Sequence, residues 1–478
     1  MKILKKRKKN LKKYKTNKIR EECGVFGIHD FNDASTITAL GLHALQHRGQ
    51  EGCGIVSFDG KNFHSEKRHG LVGDNFTNKE ILKKLPGQSA IGHNRYSTTG
   101  ETSLRNIQPF FADIYGGGIS VAHNGNFTNA LKLRDKLVKD GAIFRTTSDT
   151  ETVVQLIARS KRSKMIDKVI DTLFQVQGGY ALVMMSNKKL IGARDPLGIR
   201  PLVLGKLKDA FVLASETCAF DIIGAKFIRE VDNGEVVIIR NMGQIFINKE
   251  KLYNYPLTPC LFEYIYFARP ESYINDILVY EYREKIAEKI VEIINKSDIN
   301  INNLYNVDCV IPVPQTGLIS GMRIGELLNK PIKNAIIKNR YIYRTFIDKD
   351  KDSICKGIKK IKIIKKLVDG KNILVVDDSI VRGNTSYHII EELKNAGANK
   401  IYFVSCCAPI RFPNKYGISI PTKEELIANN KNVEQIKNQL KVDDLIYLDI
   451  DTLCDTLKEL NPLIKDFEKS VFTGEYIT

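Results

Sequence analysis

A chain of 478 residues, 43% hydrophobic and 27% charged, is long enough for two buried cores and has the composition of a globular protein. No window approaches ~18 consecutive apolar residues, so a membrane-spanning helix is excluded and no membrane partner is expected. The net charge of +18 invites a nucleic-acid reading, but residues 1–20 hold eleven Lys or Arg and no acid, and the remaining charge is spread thinly.

That basic leader lacks the apolar stretch of roughly 7–15 residues that a secretory signal needs. It reads as a solvated tail, and no nucleic-acid partner is expected. Nine cysteines, at Cys23, Cys53, Cys218, Cys260, Cys309, Cys355, Cys406, Cys407 and Cys454, form no C-x-x-C pair. An odd count in a long chain suggests neither a disulfide framework nor a zinc site, and a cytoplasmic location is the default.

After the leader comes Glu21-Glu22-Cys23-Gly24-Val25-Phe26-Gly27-Ile28, a polar step into a buried strand. Taken alone, Cys23 fits an ordinary buried cysteine. Were the chain cut before it, Cys23 would carry an α-amine of pKa about 8 beside its thiol, and one residue would supply nucleophile and base. The stretch from Ala39 to Gly52 reads as a helix ended by glycine, and Ile55–Phe58 as the next strand. Three polar clusters follow, each expected near the end of a β-like segment: Gly92-His93-Asn94-Arg95-Tyr96-Ser97-Thr98, Ala122-His123-Asn124-Gly125-Asn126 and Thr147-Ser148-Asp149-Thr150-Glu151. Singly they read as a solvated arginine, a turn and a helix cap. Together with Cys23 they make a kit for a zwitterionic amide. An arginine can hold a carboxylate in a fork, an aspartate can hold an ammonium, and an Asn amide with a Gly N–H can stabilise an oxyanion. The strand at Gly178–Met185, the turn-rich 193–202 stretch and Ala214–Phe220 read as scaffold.

These motifs, with Leu45-Gln46-His47-Arg48-Gly49-Gln50-Glu51-Gly52, resemble the class II glutamine amidotransferases, which are N-terminal-nucleophile hydrolases with an αββα sandwich. The resemblance implies Cys23 as nucleophile, Asn124 and Gly125 as oxyanion hole, Arg95 on the glutamine carboxylate and Asp149 on its amino group. It also requires Cys23 to become residue 1. The first methionine after Met1 is Met165, so residues 1–22 are expected to be a propeptide, with a misassigned non-ATG start as the alternative.

The stretch Cys260–Ser272 is aromatic and interface-like, fitting a packed linker. Beyond it β and α patterns alternate at the spacing of a parallel sheet. Val307–Val313 reads as a buried strand running into Pro314-Gln315-Thr316-Gly317. Asn372–Val376 ends in Asp377-Asp378-Ser379-Ile380-Val381-Arg382-Gly383-Asn384-Thr385-Ser386, and a helix to Asn395 and a strand at Ile401–Ser405 follow. Two carboxylates at a strand's C-terminal edge suit ribose hydroxyls or a cation, and a glycine-containing loop opening a helix suits phosphate.

This stretch resembles the signature for phosphoribosyl pyrophosphate (PRPP) in type I phosphoribosyltransferases, and its wording is similar to that of the amidophosphoribosyltransferase family. The expected organisation is a propeptide at 1–22, an αββα amidotransferase domain at 23–255, and a parallel-sheet phosphoribosyltransferase domain with C-terminal helices at 256–478. The resemblance implies glutamine-dependent amination of PRPP, the opening step of purine synthesis. PRPP would meet Asp377, Asp378, Gly383, Asn384, Thr385 and Ser386, and Mg2+ would lie near Thr316, Asp377 and Asp378. It further implies a closing loop at Lys338–Phe346, purine nucleotides as feedback inhibitors and a homotetramer. Tyr343 stands where the family usually has glycine, and Gly317 where some relatives have serine. One branch carries an iron–sulfur cluster on four cysteines; here Cys260 is joined by Asn414, Glu468 and Val471, so no cluster is expected.

Overall fold

The computed structural model describes residues 21–97, 103–240, 244–247, 255–296, 306–338, 361–418, 420 and 422–478. The leader up to residue 20, Thr98 and the expected closing loop beyond Lys338, including Tyr343, lie outside them.

The first half is built around the strand Glu21–His29, which pairs antiparallel with Ser89–Ser97 on one side and Ala210–Ala214 on the other. Its side chains alternate, as a pleated strand requires. Phe26 and Ile28 pack with Leu42, Leu45 and Phe220, from a layer holding the helices Ala34–Ala44 and Cys218–Ile223. Val25 turns the opposite way, onto Val56, Ile91, Ala122 and Val183 of the interior between two sheets. The first sheet runs in the spatial order Lys226–Glu230, Val203–Leu207, Ala210–Ala214, Glu21–His29, Ser89–Ser97, Gly52–Phe58, Phe63–His69. The second runs Gln244–Ile247, Val236–Arg240, Lys189–Arg194, Gly178–Ser186, Gly117–Phe127, Phe110–Ile114. Helices Ala130–Lys139, Thr150–Arg159 and Met165–Leu173 cover the outer face of the second sheet through Val153, Ile157 and Val169. The result is the expected αββα sandwich.

Two local expectations change. The helix predicted to reach Gly52 stops at Ala44, and a single tight turn, Gln46–Arg48, follows it. Gly49 lies against the backbone of Arg95, where a Cβ would sit 2.6 Å from the Arg95 carbonyl carbon, so glycine is required where the chain passes that strand. The cluster Thr147–Glu151 is in a loop that opens the helix Thr150–Arg159, rather than at a strand end.

In the second half, strands Cys309–Pro312, Asn372–Asp377, Lys400–Ser405 and Asp444–Tyr447 form a parallel sheet in sequence order. Parallel sheets need cover on both faces, and the hydrophobic runs supply it. Leu374, Val376, Tyr402 and Val404 face Ile286, Ile290, Leu453 and Leu457 of the helices Val279–Lys296 and Ile450–Leu460. Ile373, Val375, Ile401 and Phe403 face Ile389, Leu393, Ile436 and Leu440 of Asn384–Asn395 and Val433–Leu440. Among the described residues no helix is long and apolar enough to cross a membrane.

The halves meet at the aromatic linker, which forms a π-helical turn, Glu263–Phe267. Glu263 accepts from Arg48 Nη2 at 2.7 Å and from Arg200 Nη1 at 2.8 Å, and Arg48 Nε also donates to Glu216. All four side chains are buried. The other Glu216 oxygen takes the Ser272 hydroxyl at 2.7 Å and the Arg269 N–H at 2.9 Å. Burial alone would raise the Glu216 carboxyl, but the charges of Arg48 and His47 outweigh it and hold it well below the usual range. Removing one member of such a network strands its partner in a dry site. Glu216→Ala is therefore expected to cost about 3–5 kcal/mol, read as a lower urea midpoint with the slope unchanged.

Candidate active site

Cys23 and Arg95 are directly opposite each other in the ladder between Glu21–His29 and Ser89–Ser97. Two residues along, Val25 opposes His93 on the same inter-sheet face. On the facing sheet Asn124 shares the face of Ala122, which belongs to that interior. His93 ties the sheets together, its Nε2 lying 3.2 Å from the His123 carbonyl oxygen. Burial first, then the Arg95 and His123 charges, press the His93 imidazole well below its ordinary pKa, which keeps it neutral beside the guanidinium.

Arg95 is 4% exposed, yet its Nε and Nη1 have no hydrogen-bond partner, and neither has Asn124 Nδ2. Buried donors are normally satisfied, so orphans on the two sheets of one interior mark a candidate place for a ligand. Asp149 caps nothing with its side chain despite its helix-start position. Instead its carboxylate accepts from the Phe127 N–H at 2.9 Å and the Thr150 hydroxyl at 3.2 Å, with His123 Nδ1 at 3.5 Å. Burial would raise this carboxyl, but His123 and these donors prevail and keep it below its usual pKa. It is an ionised carboxylate suited to an ammonium. Gly125 has φ +137°, and a Cβ there would run into the Gly179 carbonyl oxygen, so only glycine fits. The structure thus pairs Cys23 with Arg95, sets Asn124 on the facing sheet of the same interior, and joins Asp149 to the Phe127 end of the Asn124 strand. His93 and His123 had only their adjacency to Arg95 and Asn124 to announce them.

In the second half, the strand Asn372–Asp377 delivers Asp377 and Asp378, each 7% exposed, to its C-terminal end. Burial pushes both carboxyls up, and the Asp378 charge drives Asp377 well above the usual carboxylate range. Asp378 accepts from the Ser379 hydroxyl at 2.5 Å and from the Thr316 hydroxyl. Thr316 therefore stands beside the acids. Gly317 has a steric reason for departing from serine: a Cβ would run into the Val376 carbonyl oxygen and lie 3.1 Å from the Asp377 Cα. Gly383 precedes the helix Asn384–Asn395, with Asn384 and Thr385 exposed at its start and Ser386 buried. Cys260, Asn414 and Glu468 also meet: Cys260 Sγ donates to Glu468 at 3.5 Å and Asn414 Nδ2 at 3.4 Å. One thiol, an amide and a carboxylate do not supply the roughly four thiolates of an iron–sulfur cluster.

Fold and site together define a class II glutamine amidotransferase joined to a type I phosphoribosyltransferase. A family model described as a glutamine amidotransferase domain matches residues 93–221. The amidophosphoribosyltransferase of Rhizobium etli is 45% identical over 471 residues, covering 96% of this chain and 92% of the relative. That of Bacillus subtilis is 39% identical over 467 residues, covering 96% and 95%. The solved glutamine PRPP amidotransferase of B. subtilis, complexed with ADP and GMP, superposes with a TM-score of 0.86 at 38% identity, covering 95% of this chain and 97% of that one. The chain belongs to the amidophosphoribosyltransferase family.

The raised carboxyls at Asp377 and Asp378 carry a measurable signature. Above the unfolded carboxylate pKa of about 3.9, ionising this pair opposes folding, and the penalty fades as falling pH protonates it. Asp377→Asn is expected to raise the melting temperature of the ligand-free protein by about 2–4 °C near pH 7. Calorimetry should show that gap narrowing toward acid pH, while PRPP turnover falls on the order of 10²-fold or more.

Proposed function

We propose that the chain catalyses the glutamine-dependent amination of PRPP to 5-phosphoribosylamine, with release of glutamate and pyrophosphate, the first step of de novo purine synthesis. The observation that carries this reading is the joining, in one chain, of the Cys23–Arg95 pair and the Asp377–Asp378 strand end.

Arg95 takes the glutamine carboxylate on its unpaired guanidinium nitrogens, and Asp149 takes the ammonium. With the leader removed, the Cys23 α-amine accepts the thiol proton, and the sulfur attacks the side-chain amide carbon. Asn124 Nδ2 and the Gly125 N–H hold the oxyanion, the α-ammonium returns its proton to the departing nitrogen so that ammonia leaves, and water hydrolyses the thioester to glutamate and the free thiol. Ammonia passes internally and displaces pyrophosphate from C1 of PRPP. Asp377 and Asp378 hold the ribose hydroxyls, while the loop to Gly383 and the start of the helix, Asn384, Thr385 and Ser386, takes the 5-phosphate.

The oxygen-only donors Thr316, Asp377 and Asp378 fit a hard divalent cation such as Mg2+, which would neutralise the leaving pyrophosphate when bound. Among the described residues no three His, Cys, Asp or Glu gather at one point, so further ligands would come from PRPP and water. Feedback by purine nucleotides is supported by the ADP and GMP bound to the B. subtilis relative. A homotetramer follows from the family resemblance, and a cytoplasmic location fits nine cysteines with no C-x-x-C pair.

Intact-mass analysis combined with a glutamine-plus-PRPP assay on one sample tests the reading. A chain beginning at Cys23 that releases glutamate efficiently only with PRPP is the expected outcome; full activity with residues 1–22 retained would sink the propeptide step. Cys23→Ala should lose glutamine-dependent synthesis by at least about 10³-fold while keeping ammonia-dependent synthesis.

A further inference from the structure

The second half of the chain reaches into the glutaminase site. After the strand Lys400–Ser405 the Cys406 N–H donates to the Asp377 carbonyl oxygen at 2.9 Å, and the chain then crosses to the other half. Gly417, with φ +100°, lies on Gly125: a Cβ on Gly417 would stand 2.6 Å from the Gly125 carbonyl carbon and 2.7 Å from its Cα. Asn126 Nδ2, one residue beyond Gly125, donates to the Lys415 carbonyl oxygen at 2.7 Å. Arg200 Nε donates to the Tyr416 carbonyl oxygen at 2.8 Å.

This strap is itself pinned from behind. The Asn414 side-chain oxygen accepts from the Tyr416 and Ile418 N–H groups at 2.7 and 3.0 Å, and its Nδ2 reaches the buried Glu468. Glu468 also accepts from the Ser470 N–H at 2.9 Å. The Tyr476 hydroxyl donates to the Pro413 carbonyl oxygen at 2.6 Å, and the Thr478 N–H donates to the Tyr416 hydroxyl oxygen at 3.0 Å.

We propose that the strap 413–418 is a positioning element of the amidotransferase half-reaction: Gly417 and the Asn126–Lys415 bond fix the Gly125 peptide in the orientation that receives the oxyanion. The inference rests on the reading of Asn124 and Gly125 as oxyanion hole. Gly125 lies between the Gly179 carbonyl and Gly417, with no room for a side chain on either neighbour's side. A peptide whose φ is open only to glycine is the one that most needs such bracing. Because an oxyanion donor acts on the transition state and not on bound glutamine, loosening the strap lowers kcat and leaves KM nearly untouched.

The test compares Gly417→Ala, Asn126→Ala and Asn124→Ala in the full-length enzyme. Glutamine kcat and KM are read beside ammonia-dependent synthesis and the rate of Cys23 alkylation by iodoacetamide, which forms no oxyanion. For G417A the expected result is a kcat for glutamate release lower by about 10–10²-fold, with KM within about threefold and the other two rates preserved. N126A should shift kcat the same way by several-fold. A wild-type kcat in G417A, or a loss appearing only in KM, overturns the proposal. Should G417A also lose ammonia-dependent synthesis through misfolding, N126A decides, and an unchanged kcat there overturns it. N124A separates the two readings: if it keeps wild-type kcat, the oxyanion assignment fails, whatever the strap variants do.

Discussion

The architecture depends on a set of opposite charges sealed from water between the halves. Arg48, Glu216, Glu263 and Arg200 come from four separate segments; Glu263 bonds to both arginines, and Glu216 bonds to Arg48 and to the Ser272 hydroxyl. Ions in a dry site must be matched in place, so the network tolerates one registry of the halves and penalises others. The linker turn is gripped from its other side as well. Arg283 Nε donates to the Tyr264 carbonyl at 3.1 Å and Nη2 to that of Ala268 at 2.8 Å. The Arg283 carbonyl in turn takes the Ser320 hydroxyl at 3.0 Å, on the helix that follows Thr316. The linker turn is thus held by buried side chains from both halves.

The same side-chain chemistry serves opposite ends in the two halves, and environment makes the difference. Asp149 is buried, but a backbone N–H, a hydroxyl and an imidazole keep it ionised. Asp377 is buried beside another acid and held well above the usual range. The first is ready for a cationic ligand group. The second resists carrying charge until hydroxyls or a cation arrive to share it. A ligand that relieves such a penalty gains selectivity over one that does not.

Much of this was legible in the sequence because the chemistry sits on regular elements. Strand periodicity placed Cys23, and a hydrophobic run ending in Asp377-Asp378 placed the acids at a sheet edge, since both signals are local. Contacts between distant segments were not legible. Nothing near Arg48 announces that it will be buried against Glu216 and Glu263, because a charged residue after a helix ordinarily meets solvent. The helix was expected to reach Gly52 because glycine is a common terminator; it stops at Ala44, and Gly49 instead serves a close approach to the Arg95 backbone that enters only through folding. Gly417 gave no sign of meeting Gly125, since a glycine at positive φ is equally at home in any turn. The αββα sandwich came through the resemblance of several motifs, which carries long-range information that periodicity lacks.

The strap against Gly125 also has a consequence for how the protein is made. Its braces, Glu468, Tyr476 and Thr478, leave the ribosome after every strand of both amidotransferase sheets. Domains tend to fold as units in the order of synthesis. The sandwich can therefore assemble around Cys23 while the segment that touches Gly125 is still being translated. A nascent or prematurely terminated chain would hold a formed Cys23 strand and a Gly125 without its Gly417 neighbour. Synthesis from the N-terminus thus places the contact on Gly125 last, once both halves have been translated.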